Sequence, residues 1–373
     1  MKNLIHLLQI NLQLYDYKFS LLCFVTAFIV TLIAIPPIIY FSRRYKLYDM
    51  PNARKEHSNP VPTMGGIAIF SGLMIALLLW FPFRNEVWQV SFFIAIMLLF
   101  MLGIMDDMKE LSARYKFVIQ IAIAFLVALS GIRITSFEGL FGINELPVYS
   151  QYTFTILAIV GITNAFNLVD GIDGLAGGLG FMSLVTLGVF LTISGDVNGA
   201  LIAFALAGGL LAFLHYNFSP AKIFMGDTGS LILGFTISVL CIRMLNVNSV
   251  STSPILNHIP VFILGIVLIP VFDALRVFAI RIWKGKSPFE ADKTHIHHLL
   301  TNNGFSHSFS VRVIYFLHAL ILIEAYLLKE LRSEYILLLM IAFMITATFI
   351  LKRSKLFLGK LAKLDASYNE PSR

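Results

Sequence analysis

Long apolar runs alternate with short polar islands along this chain. The apolar stretches fall near positions 19–41, 67–82, 91–105, 117–134, 152–163, 176–194, 200–215, 230–247, 259–280, 311–328 and 335–351. A helix needs about 20 residues to cross the hydrocarbon core of a bilayer. Several of the runs are shorter, so the polar residues beside them are expected to extend those helices. The pattern predicts an all-α polytopic membrane protein of about eleven transmembrane helices. It reads as one integral-membrane domain over 1–373, with a basic tail at 352–373. The first run begins near Phe19 after a polar, non-basic head, unlike a cleavable signal peptide, which opens on basic residues.

Composition agrees with the pattern. Of 373 residues, 58% are hydrophobic and 13% charged, against about 25% charged in a soluble domain. No polar stretch is long enough for a sizeable soluble domain. The two cysteines, Cys23 and Cys241, both lie in apolar runs and say nothing about redox compartment.

The net charge is +7, and its placement orients the chain. With eleven spans, one side of the membrane collects Arg43, Arg44, Lys46, Arg54, Lys55, Lys109, Arg114, Lys116, Lys222, Arg281, Lys284, Lys286, Lys293 and the tail lysines. The other side holds few cations, among them Lys18, Arg84 and Arg133. The positive-inside rule puts the first group in the cytoplasm, with the N-terminus outside and the C-terminus inside. The polar islands all land on that cytoplasmic face. An alternating-access transporter would place its polar residues near the midplane in interrupted helices, and no such pattern or internal repeat is present.

Four islands carry candidate chemistry. The first is Asp106-Asp107-Met108-Lys109-Glu110-Leu111, with Lys116 ten residues beyond Asp106. Adjacent carboxylates at a helix C-terminus oppose both each other and the helix dipole, which a divalent cation or a protonated substrate group would relieve. Asp106 reads as functional. Asp107 is balanced between function and capping the next helix with Glu110. Lys116 is a candidate phosphate contact, although a lysine at a helix end also snorkels.

The second island is Asn164-Ala165-Phe166-Asn167-Leu168-Val169-Asp170-Gly171-Ile172-Asp173-Gly174. Asn164, Asn167, Asp170 and Asp173 recur every third residue, so a slanted helix face can gather the first three. Their hard oxygens suit Mg²⁺, which takes few protein ligands. An Asx turn accounts for one Asp-Gly pair but not for two behind two asparagines. The third island, Gly226-Asp227-Thr228-Gly229-Ser230, opens a new apolar run. Asp227 is either the N-cap of that helix or part of a metal and phosphate site. The fourth is His295-Ile296-His297-His298 in a basic loop. Its spacing matches no closed zinc site and no cysteine accompanies it, so hydrogen bonding to phosphate or sugar oxygens fits better. A weaker element runs from Asp49 through Lys55 to Pro62-Thr63-Met64-Gly65-Gly66, where Lys55 and Thr63 are candidate substrate contacts. Asp273, an acid away from the islands near the end of the span at 259–280, has Arg276 one turn along as a natural partner.

These islands, in this order from about Asp49 to Leu300, resemble the polyprenyl-phosphate N-acetylhexosamine-1-phosphate transferase family. The resemblance implies an active site on the cytoplasmic face of a bacterial inner-membrane, multi-pass enzyme. It puts the family's aspartate pair on Asp106 and Asp107, with catalytic roles, and its phosphate-contacting lysine on Lys116. It implies Mg²⁺, or Mn²⁺ as a substitute, held by Asp227 and Asn167. Substrate contacts fall on Asn164, Asp170, Asp173, His295, His297 and His298. The implied reaction transfers a sugar-1-phosphate, GlcNAc-1-phosphate before others, from a UDP-sugar to polyprenyl phosphate. It releases UMP and initiates a cell-envelope polysaccharide. His-Ile-His-His is similar to the GlcNAc-1-phosphate branch rather than to the three consecutive histidines of the muramoyl-pentapeptide translocases. The alternatives are that pentapeptide substrate and, in a different class, an ion-coupled transporter or flippase. Expected partners are polyprenyl phosphate, UDP-N-acetylhexosamine and the membrane, with no nucleic acid. Pairing as a homodimer is left open.

Overall fold

A computed structural model describes residues 2–45, 48–49, 61–250, 256–287, 294–328 and 330–353. The helices are α1 (Lys2–Arg44), α2 (Gly65–Trp80), α3 (Val87–Lys109), α4 (Ala113–Leu129), α5 (Val148–Val169) and α6 (Leu175–Ile193). They continue with α7 (Val197–Asn217), α8 (Gly226–Ser249), α9 (Ile259–Trp283), α10 (Ile296–Thr301), α11 (His307–Leu327) and α12 (Ser333–Arg353). The two-residue strands β1 (Tyr48–Asp49) and β2 (Val61–Pro62) pair antiparallel, Tyr48 opposite Pro62.

Each of the eleven apolar runs coincides with a helix, and α10 adds a short twelfth. Among the described residues, nine helices are long and apolar enough to cross a membrane, fewer than the eleven spans expected. The shortfall lies in α2, of 16 residues, and α4, of 17 residues. The run at 117–134 predicts a longer α4, but Gly131 takes φ +98°, a left-handed conformation that ends the helix. Beyond it, Ile134 N–H donates to Thr155 Oγ1 at 2.9 Å and ties the chain to α5. Polar residues do extend their helices elsewhere: α3 continues through Asp106-Asp107 to Lys109, and α5 through Asn164 and Asn167 to Val169.

Helices α7 and α8 are the most enclosed, while α1 and α12 lie at the rim. Two glycines let α8 sit this deep. A Cβ on Gly66 of α2 would stand 2.2 Å from Gly229 N, and one on Gly103 of α3 would stand 2.3 Å from Thr228 Cα. The first turn of α8 is therefore clasped between two helices at backbone contact. Farther along α8, Arg243 makes a bidentate pair with Asp196 (2.7 and 2.8 Å) and covers the Trp88 ring at 3.6 Å. This satisfies its charge within the protein, as an ionisable group in a span requires.

Candidate active site

The ends of α3, α5 and α7 and the starts of α4, α8, α10 and α11 surround one cavity of about 550 Å³. Five aspartates line it (Asp106, Asp107, Asp170, Asp173 and Asp227), together with Asn167, Lys116, Thr63 and four histidines.

Lys116 ties the first island to the third. Its ammonium donates to Asp106 Oδ2 at 2.5 Å and to Asp227 Oδ2 at 2.9 Å. The other oxygen of Asp106 accepts from Leu111 N–H at 2.7 Å, so this buried carboxylate is held at both ends. Asp227 Oδ1 accepts from Asn167 Nδ2 at 2.7 Å, and the same amide donates to Ser230 Oγ at 2.9 Å. Asp227 lies inside the first turn of α8 with its side chain turned into the cavity. The N-cap reading of that residue is thereby excluded.

The cap of α8 comes from elsewhere in the chain. Asp107 Oδ1 accepts from Asp227 N–H at 2.7 Å, and Oδ2 accepts from Thr228 N–H at 3.1 Å and Thr228 Oγ1 at 2.6 Å. Gly226, at φ +71°, passes beside this carboxylate, and a Cβ there would lie 2.7 Å from Asp107 Oδ2. The expectation that Asp107 caps the following helix with Glu110 is corrected: Ser112 caps α4, accepting from Tyr115 N–H at 3.4 Å.

The second island divides. Asp170 ends α5 on the cavity wall. Loss of hydration, then the charges of Asp227, Asp107 and Asp173, push its pKa up to about 7. Asp173 also lines the cavity and accepts from Ala221 N–H at 3.0 Å. Gly174, at φ +81°, donates its N–H to Asn217 Oδ1 at 2.8 Å, while Tyr315 Oη donates to Gly174 O. Asn164 departs from its predicted role. It is not among the residues lining the cavity, and its Nδ2 donates to Gln120 Oε1 and Val160 O, tying α5 to α4. One α-helical turn of offset from Asn167 is enough to put it behind the wall.

The histidine segment closes the opposite side. His295, His297 and His298 are buried, and all three line the cavity. The His295 and His297 rings stack with centroids 5.7 Å apart, and those of His297 and His298 lie 4.2 Å apart. A Cβ on Gly171 would sit 2.8 Å from His297 Nε2, so the segment rests directly on the Asp-Gly run. His295 Nδ1 lies 2.9 Å from Asp273 Oδ2. Asp273 Oδ1 accepts from Ile296 N–H at 3.0 Å and from Arg276 Nη2 at 2.8 Å, and Arg276 also donates to Thr294 O. Arg276 is thus the predicted partner of Asp273, but only one of three.

Thr63 lines the cavity, and the adjoining Pro62 O accepts from Phe224 N–H at 2.7 Å. Lys55 lies outside the described residues, as does the tail beyond Arg353. Three residues with parts here escape sequence reading: Asn217, His307 and, in the role just described, Asp273. For Asp273 a signal existed, since an acid within a span marks function by default. Asn217 and His307 carry no such signal.

Hard oxygen donors dominate the acidic wall, where two of the five carboxylates, Asp106 and Asp227, share the Lys116 ammonium. Among the described residues, no group of three or more His, Cys, Asp or Glu is arranged to hold a metal ion by itself. The carboxylate and amide oxygens of Asp227 and Asn167 on the cavity wall are donors of the kind that Mg²⁺ takes, few in number and completed by water and phosphate. The donor set fits no thiolate-bound metal.

The family model for glycosyl transferase family 4 matches residues 89–245, the stretch holding the first three islands. The chain is 38% identical over 329 residues to a Bacillus subtilis (strain 168) protein described as a probable undecaprenyl-phosphate N-acetylglucosaminyl 1-phosphate transferase. That match covers 86% of this chain and 90% of the relative. Two relatives described as undecaprenyl-phosphate alpha-N-acetylglucosaminyl 1-phosphate transferases are 32% identical over 270 residues (Salmonella typhi; 70% of each chain) and 31% over 282 residues (Escherichia coli K12; 72% of this chain, 74% of the relative). With the ordered motifs converging on one cavity, the chain belongs to glycosyl transferase family 4, among the polyprenyl-phosphate N-acetylhexosamine-1-phosphate transferases.

Proposed function

We propose that this protein transfers GlcNAc-1-phosphate from UDP-GlcNAc to undecaprenyl phosphate in a bacterial inner membrane, as the first committed step of a cell-envelope glycan. The observation that carries the reading is the Lys116 bridge between Asp106 and Asp227 on the wall of a polar cavity at the ends of apolar helices. It assembles charge suited to two phosphate-bearing substrates at the place where a membrane lipid and a soluble nucleotide can meet.

In the reaction, an oxygen of the lipid phosphate attacks the sugar-bearing phosphorus of the nucleotide diphosphate. A new P–O bond forms, the bond to the bridging oxygen breaks, and UMP leaves with that oxygen. The lipid phosphate, with a second pKa of about 6, is largely dianionic at neutral pH and needs little activation. The work left to the protein is positioning and charge neutralisation. Lys116 supplies a fixed positive charge beside the acidic wall, and Asp106 holds that ammonium in place. The histidine segment offers N–H donors to phosphate and sugar oxygens from the opposite side. Asp170 and Asp173 face the nucleotide. Mg²⁺ held by Asp227 and Asn167 would neutralise the diphosphate.

The test is purified protein in lipid with UDP-GlcNAc, undecaprenyl phosphate and Mg²⁺, measuring UMP release. Wild-type protein is expected to turn over and to lose activity on chelation. Asp227→Asn and Asp106→Asn are each expected to lose on the order of 100-fold or more in kcat. Near-normal UMP release from both variants sinks the assignment. A panel of UDP-N-acetylhexosamines in the same assay ranks the donors.

A further inference from the structure

Asp273 sits on α9, outside the four islands, and does not line the cavity. It is 2% exposed, yet it is not a passive buried acid. Its Oδ2 faces His295 Nδ1 at 2.9 Å, while its Oδ1 takes the Ile296 backbone N–H at 3.0 Å and the Arg276 guanidinium at 2.8 Å. One carboxylate thus fixes both the imidazole of His295 and the start of α10, the short helix that carries His297 and His298. Arg276, donating also to Thr294 O, closes the clamp on the residue preceding His295.

We propose that Asp273 is a positioning residue for the transfer reaction: it holds His295 with a proton on Nδ1, so that Nε2 is the ring atom left to meet the substrate diphosphate. The proposal rests on the reaction proposed above. A carboxylate accepting from Nδ1–H selects that tautomer. Nε2 then accepts from a substrate hydroxyl when bare, or donates to a phosphate oxygen when protonated. Without the carboxylate the ring is free to turn and to carry its single proton on either nitrogen. Asp273 exchanges no proton with the substrate; it acts through His295 and, by holding the Ile296 N–H, through the placement of α10. The same bonds explain why the histidine segment is ordered against the Asp-Gly run although nothing in its own sequence requires it.

The test is a double-mutant cycle on UMP release with Asp273→Asn, His295→Gln and the pair, in protein whose wild type turns over UDP-GlcNAc. Failure of the wild type to turn over sinks the proposed reaction and is thereby distinguished from failure of this inference. Asp273→Asn is expected to lower kcat by about 10- to 100-fold with little change in KM, and to cause a much smaller loss in the His295→Gln background. Equal losses in the two backgrounds, or no loss in the wild-type background, would overturn the positioning role, since a merely structural acid costs the same with or without His295. A ¹⁵N histidine spectrum of the unsubstituted protein in liposomes, with His295 assigned by the His295→Gln variant, decides the matter even if Asp273→Asn fails to fold. A proton on Nδ1 of His295 supports the inference, and an unprotonated Nδ1 overturns it.

Discussion

The carboxylate of Asp107 accepts the backbone N–H of Asp227 at 2.7 Å, across 120 residues of sequence. With two further bonds from Thr228, Asp107 caps the helix whose first turn carries the central aspartate of the site. A negative charge there also complements the positive end of the α8 dipole. Replacing Asp107 with Ala leaves two backbone donors and a hydroxyl unpaired in a part-buried place. The expected cost is about 2 kcal/mol, read as a lower melting temperature, together with loss of activity as Asp227 shifts. Asp107→Asn retains one acceptor oxygen and should keep most of the stability. If both variants melt like the wild type, the cap contributes nothing.

Lys116 is the one cation among the described residues within 4 Å of either Asp106 or Asp227. Removing it as Lys116→Met leaves two close carboxylates without their shared partner. Activity should fall on the order of 100-fold. Lys116→Arg keeps the charge but exchanges a compact ammonium for a planar fork that cannot take the same bridging position, so it too should be impaired. An Lys116→Arg variant with full activity would mean that charge alone matters and that the bridge geometry does not.

How far the site could be read from sequence follows from how local each relationship is. The pairing of Lys116 with Asp106 spans ten residues and a single turn, and both partners stand out in one island. The helices were legible because apolar runs have one physical explanation in a bilayer. The end of α4 was not, because it depends on Gly131 taking a left-handed conformation rather than on a loss of apolarity. The role of Asp107 was hidden because its partners lie on a helix brought near by Gly66 and Gly103, whose close approaches appear only after packing. Asn164 shows the reverse. Its spacing put it with Asn167, but a neighbouring side chain, Gln120, takes its amide.

Asp170, with its pKa raised to about 7, makes the metal-free protein sensitive to pH. In the folded state its carboxyl holds a proton that the unfolded chain releases near pH 4. Between those values the folded state binds more protons, so stability falls as pH rises through the window. Without divalent cations, the melting temperature should drop from pH 5 to pH 8, and Asp170→Asn should flatten that drop. Adding Mg²⁺ at pH 8 should recover part of the loss by supplying the compensating charge. Identical pH slopes for wild type and Asp170→Asn would show that another group sets the dependence.

Both acids of the first island are held by hydrogen bonds within the protein. Asp106 is 5% exposed and has one oxygen on Leu111 N–H and the other on Lys116, while both oxygens of Asp107 are engaged by the start of α8. A carboxylate attacking phosphorus must direct a lone pair at it within about 3.5 Å, and each of these oxygens already accepts a hydrogen bond, which lowers its nucleophilicity while leaving a second lone pair. On that ground we expect direct attack by the lipid phosphate rather than a phospho-aspartyl intermediate. A single-turnover experiment separates the two routes. Enzyme in excess over UDP-GlcNAc, with Mg²⁺ and without undecaprenyl phosphate, should release no UMP, and adding the lipid should then release it in full. A stoichiometric burst of UMP before the lipid is added would establish the covalent route and require one of these carboxylates to break its hydrogen bonds during catalysis.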